Sequence, residues 1–303
     1  MNSCHLGKFA VLNNKIQQLP QGINKYAVLI FAGDNGISLE NFSSYPPLSS
    51  RDIVISHLKG ESPTAALLNR SGHQEIIVDV GLYQRVNDER IIQRNIVRGS
   101  KNFLYNDALE KAQVEKSIEV GLCVWDDVEA EKFDIIGIGE IGIGNTLCAA
   151  GLAAVITGLE PEYLVGSGSA SNKVINRKID ILSKALKLRS PDPDDLIDLL
   201  ARFGGLELAA LTGFILASVN KGKIIMLDGY VTAVTALLAS RIDARVSSHL
   251  IAPSTTGEPG HWPVLKQLAL EPVFDWAINY GEGLAAAIAL FLAEVFFFAG
   301  NQN

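Results

Sequence analysis

Phe133-Asp-Ile-Ile-Gly-Ile-Gly-Glu-Ile-Gly-Ile-Gly-Asn-Thr-Leu-Cys-Ala-Ala-Gly151 is the stretch that decides the fold. A β-branched run (Ile135, Ile136, Ile138) breaks into glycines and one carboxylate, Glu140, then passes through Asn145 and Thr146 into an alanine-rich run. That order reads as strand, tight loop and helix. Such a loop is an anion seat. Glycine lets the backbone turn where a side chain would clash, and unpaired N–H groups at the helix start point outward with the positive end of the helix dipole behind them. Gly142, Ile143, Gly144, Asn145 and Thr146 are therefore candidate phosphate-binding residues.

Outward from this stretch the same theme recurs. Lys25 to Gly33 reads as a strand delivered into Gly33-Asp34-Asn35-Gly36, Gln74 to Gly81 as a strand with Asp79 near its exit, and Lys223 to Asp228 as a third with Asp228 at its end. Ser248 to Pro253 reads as a last strand, and residues 84 to 104 as polar and irregular. Helices are expected over Phe9 to Leu19, Arg51 to Leu58, Pro63 to Ser71, Asn106 to Gly121, Thr146 to Thr157, Phe203 to Ser218 and Leu284 to Phe298, with others opening near Lys178 and after Ser190-Pro-Asp-Pro-Asp-Asp195. Strands alternating with helices predict an α/β fold: a doubly wound, mostly parallel, Rossmann-like sheet with Ala-rich helices on both faces and a small helical subdomain from the chain ends. Residues 1–24 read as a short N-terminal helical segment and 25–303 as one α/β domain. Ligands in such folds sit at the carboxyl ends of the strands, where Asp34, Asp79, Glu140 and Asp228 would gather.

Composition narrows the function. In 303 residues the apolar content is 48% and the aromatic content only 7%, so the core is built from Ala, Ile, Leu and Val and its helices pack closely. A net charge of −7 without a Lys/Arg block argues against nucleic-acid binding. Three cysteines, Cys4, Cys123 and Cys148, share no metal-like spacing and make a poor disulfide framework, which fits a reducing cytoplasm. The first thirty residues show no secretion signal. The longest apolar run, Leu284 to Ala299, contains Glu294 and falls short of the ~20 residues a bilayer needs, so it reads as a buried helix or a subunit interface. His261 is spaced from no other ligand, and neither a metal nor a cofactor is expected.

Three further features carry chemistry. Leu164-Val-Gly-Ser-Gly-Ser-Ala170 is a second glycine-rich loop, and Lys178 beyond it is either a mobile charge for phosphate oxygens or a solvated helix-face lysine. Glu282, between Gly281 and Gly283 at the mouth of an apolar helix, is either a general base or a partner for the helix N–H groups. Asp79 and Asp228 read as loop or helix caps. The pattern Gly137-x-Gly139-x-x-Gly142 is also the dinucleotide fingerprint, which keeps an NAD-binding oxidoreductase as an alternative. Against it, the acids about 20 residues on, Glu160 and Glu162, flank a proline, and Glu140 would face pyrophosphate with the wrong charge.

Taken together, Phe31-Ala-Gly-Asp-Asn-Gly36, Ser44-Tyr-Pro46, Val78-Asp-Val-Gly81, Arg98-Gly-Ser-Lys-Asn-Phe103, Gly139-Glu-Ile-Gly-Ile-Gly-Asn-Thr146, Val165-Gly-Ser-Gly168, Gly204-Gly-Leu-Glu207, Leu227-Asp-Gly229, Gly257-Glu-Pro-Gly-His261 and Gly281-Glu-Gly283 resemble, in order and spacing, the nicotinate-nucleotide:dimethylbenzimidazole phosphoribosyltransferase family of cobamide lower-ligand synthesis. The resemblance covers nearly the whole chain from about residue 6. It implies transfer of the phosphoribosyl group of nicotinate mononucleotide to a benzimidazole nitrogen, with nicotinate released. It implies Glu282 as general base, Glu140 as the carboxylate beside the ribose, and the loops at Gly142 to Thr146 and Gly166-Ser167-Gly168 around the phosphate with Lys178. Tyr45, Ile53, Ile141 and Tyr280 would line the aromatic-base pocket. It further implies a homodimer without a metal. The chain departs from the family pattern at Asn35, where histidine is usual, in the reduced turn Ser3-Cys-His-Leu-Gly7, in 251–256, which lacks the common histidine, and at Leu284-Ala285. A related pair of proteins forms a heterodimer that acts on phenol or p-cresol, so one subunit of such a pair is a second alternative.

Overall fold

The computed structural model describes residues 9–16, 23, 25–168 and 174–300. The expected helix end at Leu19, the turn Ser3 to Gly7 with Cys4, and Ser169-Ala170 lie outside the described residues. The fold is built on one strand, β1 (Tyr26–Gly33), every residue of which is buried. β2 (Gln74–Gly81) pairs on one side and β4 (Ile135–Ile141) on the other, both parallel, so that Phe31 stands between Val78 and Glu140. β3 (Ile91–Gln93), β5 (Ile224–Met226) and β6 (Leu250–Ile251) extend the edges, giving an all-parallel six-stranded sheet in the order β3-β2-β1-β4-β5-β6. This is the doubly wound order, with its topological switch point between β1 and β4. The sheet is wholly rather than mostly parallel. β3 falls in the stretch read as irregular, because three residues at a sheet edge are too few to show a period.

Among the described residues eleven α-helices accompany the strands: α1 (Phe9–Ile16), α2 (Ser50–Leu58), α3 (Pro63–Ser71), α4 (Lys111–Asp127), α5 (Asn145–Thr157), α6 (Ile175–Arg189), α7 (Leu196–Phe203), α8 (Leu206–Asn220), α9 (Tyr230–Ile242), α10 (His261–Gln267) and α11 (Leu284–Gly300). Side-chain alternation along the strands divides the core between two faces. Leu29, Phe31, Ile136 and Ile138 pack with α4, α5, α8 and α9, while Val28, Ile30, Ile77 and Ile135 pack with α2, α3 and the alanine face of α11. Helices α1 and α11 meet on the second face, where the Phe9 ring contacts Phe274 and Phe296. Helix α4 starts later than expected because Glu110 and Gln113 form a reciprocal capping box. Helices α9 and α10 are additions to the expected set. None of the described helices is long and apolar enough to cross a membrane.

The small-residue composition has its clearest use between α4 and α8. Gly121 and Gly213 face the partner backbone so closely that a β-carbon on either would strike the carbonyl oxygen of Ala210 or Ile118. Backbone cannot swing aside as a side chain can. Gly121→Ala is expected to destabilise the chain by about 2–3 kcal/mol, the upper range for overpacking, and to lower Tm by roughly 5–10 °C. Thermal unfolding followed by circular dichroism checks this.

Candidate active site

A pocket opens at the carboxyl edge of the sheet beside the β1/β4 switch point. Its walls come from the loop between β4 and α5, the exit of β5, the segment before α2 and the turn before α11. Glu140, Ile141, Gly142, Ile143, Gly144, Asn145, Thr146, Gly168, Lys178, Tyr45, Ile53, Tyr280 and Glu282 all line it. Gly166 and Ser167 stand just behind, where their carbonyl oxygens accept from Lys178 Nζ at 3.2 and 2.9 Å.

One wall presents backbone amides. Gly144 takes a left-handed conformation (φ 96°) and turns the chain into α5. The Ile143 amide donates to Ser50 Oγ at 3.0 Å, while those of Gly144 and Thr146 have no acceptor among the described residues. The second glycine-rich loop closes toward this wall: a β-carbon on Gly168 would lie 3.1 Å from Lys178 Nζ and 3.4 Å from Thr146 Oγ1. Lys178 is buried rather than solvated, and burial holds its amine below the ordinary value while the charge of Glu258 opposes the shift. Glu258 accepts from the amides of Gly166 at 3.0 Å and Gly168 at 2.6 Å. The Glu258 carboxylate thus occupies the amide face of that loop.

The other walls are acidic. Asn145 Nδ2 donates to Glu140 Oε2, and burial together with the charges of Asp228 and Glu207 drives the Glu140 carboxyl far above its usual range, with Glu282 adding to the effect. Asp228 accepts from the amides of Gly283 (3.1 Å), Ala285 (2.7 Å) and Ala286 (3.3 Å), so it caps α11. Burial lifts it to about 6 despite those bonds. Asp79 likewise holds its loop by accepting from Gly81 and Leu82. Gly281, Glu282 and Gly283 are three consecutive left-handed residues (φ 74°, 59° and 75°). Glu282 alone among them carries a side chain, and such a conformation costs of order 1 kcal/mol or more. The turn brings its neighbour Gly281 to within 3.5 Å, at the β-carbon position, of Glu140 Oε1. Glu140 and Glu282 therefore share one pocket.

Three participants escape a reading of the sequence. His57 on α2 is fully buried and lies 2.8 Å by Nε2 from Glu282 Oε2 and 2.8 Å by Nδ1 from Glu75 Oε1. Glu207, at the start of α8, accepts from Asn35 Nδ2 at 2.6 Å, and burial pushes it to about 8. Glu258 sits in the Gly257-to-His261 turn, where the sequence marks a motif but no role for the acid. A histidine amid the apolar residues of α2 is the one visible signal among these. The dinucleotide reading loses its geometry, because Gly137 and Gly139 lie inside β4 and pack against Leu290, Val28 and the Gly283 backbone instead of forming a loop. Among the described residues no group of three or more His, Cys, Asp or Glu is disposed to hold a metal ion.

A phosphoribosyltransferase family model matches residues 5–297. The nicotinate-nucleotide–dimethylbenzimidazole phosphoribosyltransferase of Clostridium acetobutylicum is 32% identical over 303 residues, covering 97% of this chain and 86% of that protein. The enzyme of the same name from Acetivibrio thermocellus is 31% identical over 273 residues, covering 90% and 78%. The crystal structure of CobT from Thermus thermophilus superposes with a TM-score of 0.89 at 28% identity, covering 96% of this chain and 89% of that one. The sheet order, the pocket at its switch point and these likenesses agree: the chain belongs to the nicotinate-nucleotide–dimethylbenzimidazole phosphoribosyltransferase family.

Proposed function

We propose that the chain transfers the 5-phosphoribosyl group of nicotinate mononucleotide to a lower-ligand base such as 5,6-dimethylbenzimidazole, giving α-ribazole 5′-phosphate and nicotinate for the nucleotide loop of cobalamin. The observation that carries this reading is the placement of Glu140 and Glu282 in one pocket whose remaining wall offers amides without acceptors among the described residues. The donor is a glycosylated pyridinium, so its ring is cationic, its phosphate anionic and its sugar lies between them. Unpaired amides at the start of α5, the Thr146 hydroxyl and Lys178 supply the phosphate end. Gly166 and Gly168 join them when Glu258 gives up their amides to the incoming phosphate.

The acids serve the other end. As the bond from the anomeric carbon to nicotinate breaks, its electron pair moves onto the ring nitrogen and positive charge passes to the sugar. A neighbouring carboxylate stabilises that charge in a site that excludes water. Burial and the neighbouring acids favour the protonated form of Glu140, whereas a pyridinium beside it favours the ionised form. One nitrogen of the acceptor base attacks the anomeric carbon from the opposite face while Glu282 takes the N–H proton. Tyr45, Ile53, Ile141 and Tyr280 surround the place where the flat acceptor would lie.

The reading carries with it a homodimer in the cytoplasm, the latter consistent with free thiols at Cys123 and Cys148. Incubating the purified chain with nicotinate mononucleotide and a panel of benzimidazoles, purines and phenols, with nicotinate release as readout, tests it. Release is expected with at least one benzimidazole. Turnover that required a second, similar chain would instead identify a subunit of a heterodimer. Glu282→Gln is expected to lower kcat by ~10²-fold or more, the usual worth of a general base. Lys178→Ala should raise KM for nicotinate mononucleotide by roughly tenfold, the loss of one hydrogen bond to a charged group, and initial-rate kinetics distinguish the two effects.

A further inference from the structure

We propose that His57, held as an imidazolium by Glu75, is the positioning residue for Glu282, fixing its carboxylate toward the pocket for the abstraction step. The inference rests on the transferase reading for its kinetic consequence but on geometry for its substance. Both ring nitrogens of His57 lie 2.8 Å from a carboxylate oxygen, one from Glu75 on β2 and one from Glu282. An ionised carboxylate only accepts, so satisfying both contacts requires an N–H on each nitrogen and therefore a positive ring.

The surroundings hold the ring in that state. Burial works against its charge, yet the hydrogen bonds and charges of Glu282 and Glu75 outweigh burial and push the imidazole up to about 9. The groups facing the ring are Glu75 from β2 and Glu282 from the turn before α11. Beyond Glu282 stand Glu140 and Asp228, and the Tyr280 phenol bonds to Glu282 and is itself driven upward, chiefly by burial. On α2 itself Arg51 and Asp52 are exposed and lie 3.9 Å from each other. Thr64 Oγ1 on α3 donates to the Glu282 carbonyl at 2.9 Å, so the backbone of the strained turn is fixed from the same side as its carboxylate. Among the described residues Glu75, His57 and Glu282 form ion pairs only with one another.

Such a tie does two things for a base. It removes rotamers in which the carboxylate turns from the acceptor, and it places one positive charge beside Glu282 in a pocket otherwise crowded with acids. Loss of the His57 proton reverses both, since an acceptor nitrogen would then face a carboxylate.

The test combines titration and kinetics on the full chain. Nuclear magnetic resonance of ring-labelled histidine should show His57 protonated on both nitrogens at pH 7.5, losing a proton only on the alkaline side near pH 9, and doing so at lower pH in Glu75→Gln and in Glu282→Gln. Nicotinate release by the wild type should fall as His57 deprotonates. Glu75→Gln should move that alkaline limb to lower pH with KM for nicotinate mononucleotide nearly unchanged, and His57→Asn should lower kcat tenfold or more and abolish the limb. A neutral His57 at pH 7.5 overturns the proposal, as does a Glu75→Gln profile that superimposes on the wild type. If the wild type releases no nicotinate with any acceptor, the transferase reading falls, while the titration still decides whether His57 is tied as described.

Discussion

The pocket depends on how the turn before α11 is clamped. Asp228, at the exit of β5, accepts from the amides of Gly283, just before α11, and of Ala285 and Ala286 in its first turn. This fixes the helix start against the sheet, where the Gly283 backbone comes so close to β4 that a β-carbon on Gly139 would strike it. Because Asp228 already satisfies those N–H groups, Glu282 is not needed as a cap and its side chain is free to face the cavity. The left-handed backbone at Glu282 follows from the same constraint: a chain pinned at Gly283 and turning back past Glu140 has little room for an ordinary conformation. The two carboxylates therefore owe their proximity to a third, Asp228.

Charge distribution extends this logic. Glu140, Asp228, Glu258 and Glu282 line one cavity with Lys178 as a cation among its lining residues, and Glu207 lies buried behind. Carboxylates gathered away from water either protonate or find partners. Here each takes a different course. Glu140 is driven toward its neutral form, Asp228 is held by amides, Glu258 borrows the anion seat of the Gly166–Gly168 loop, and Glu282 is tied to His57. A ligand with a cationic ring at one end and a phosphate at the other would relieve both sides at once, displacing Glu258 from the amides and offsetting the charge that Glu140 cannot carry alone.

Much of this is legible in the chain, for a definite reason. Strand exits marked by an acid after a β-branched run point to β1, β2, β4 and β5, and the glycines after Glu140 mark the amide wall, because local backbone geometry imposes those residue types. Asp79 and Asp228 are caps, as their positions at strand ends suggest. What stays hidden is nonlocal. Glu75 looks like a polar residue entering a strand, His57 like a lone histidine on a short helix, and Glu282 like an isolated acid between glycines; that they form one bonded row follows from α2 crossing the sheet between β2 and the turn before α11. The short β3 and the helices α9 and α10 escape because three-residue strands lack a period and because α9, buried nearly all round, lacks a polar face to mark it.

The same contrast bears on how this site can change while its fold is kept. The amide wall is made of backbone, so it tolerates little variation beyond the glycines that permit it. The acid side is made of side chains held by other side chains, and its protonation balance can be reset by one neutral replacement at a distance from the pocket. Asn35 illustrates this: a neutral amide beside Glu207 leaves that carboxyl without a cationic partner, and burial then holds it to about 8. A cation at position 35 would instead favour ionised Glu207 and pair with it behind Glu140. The choice of residue where the first strand ends thus reaches Glu140 through Glu207, whose charge is among the causes that raise it.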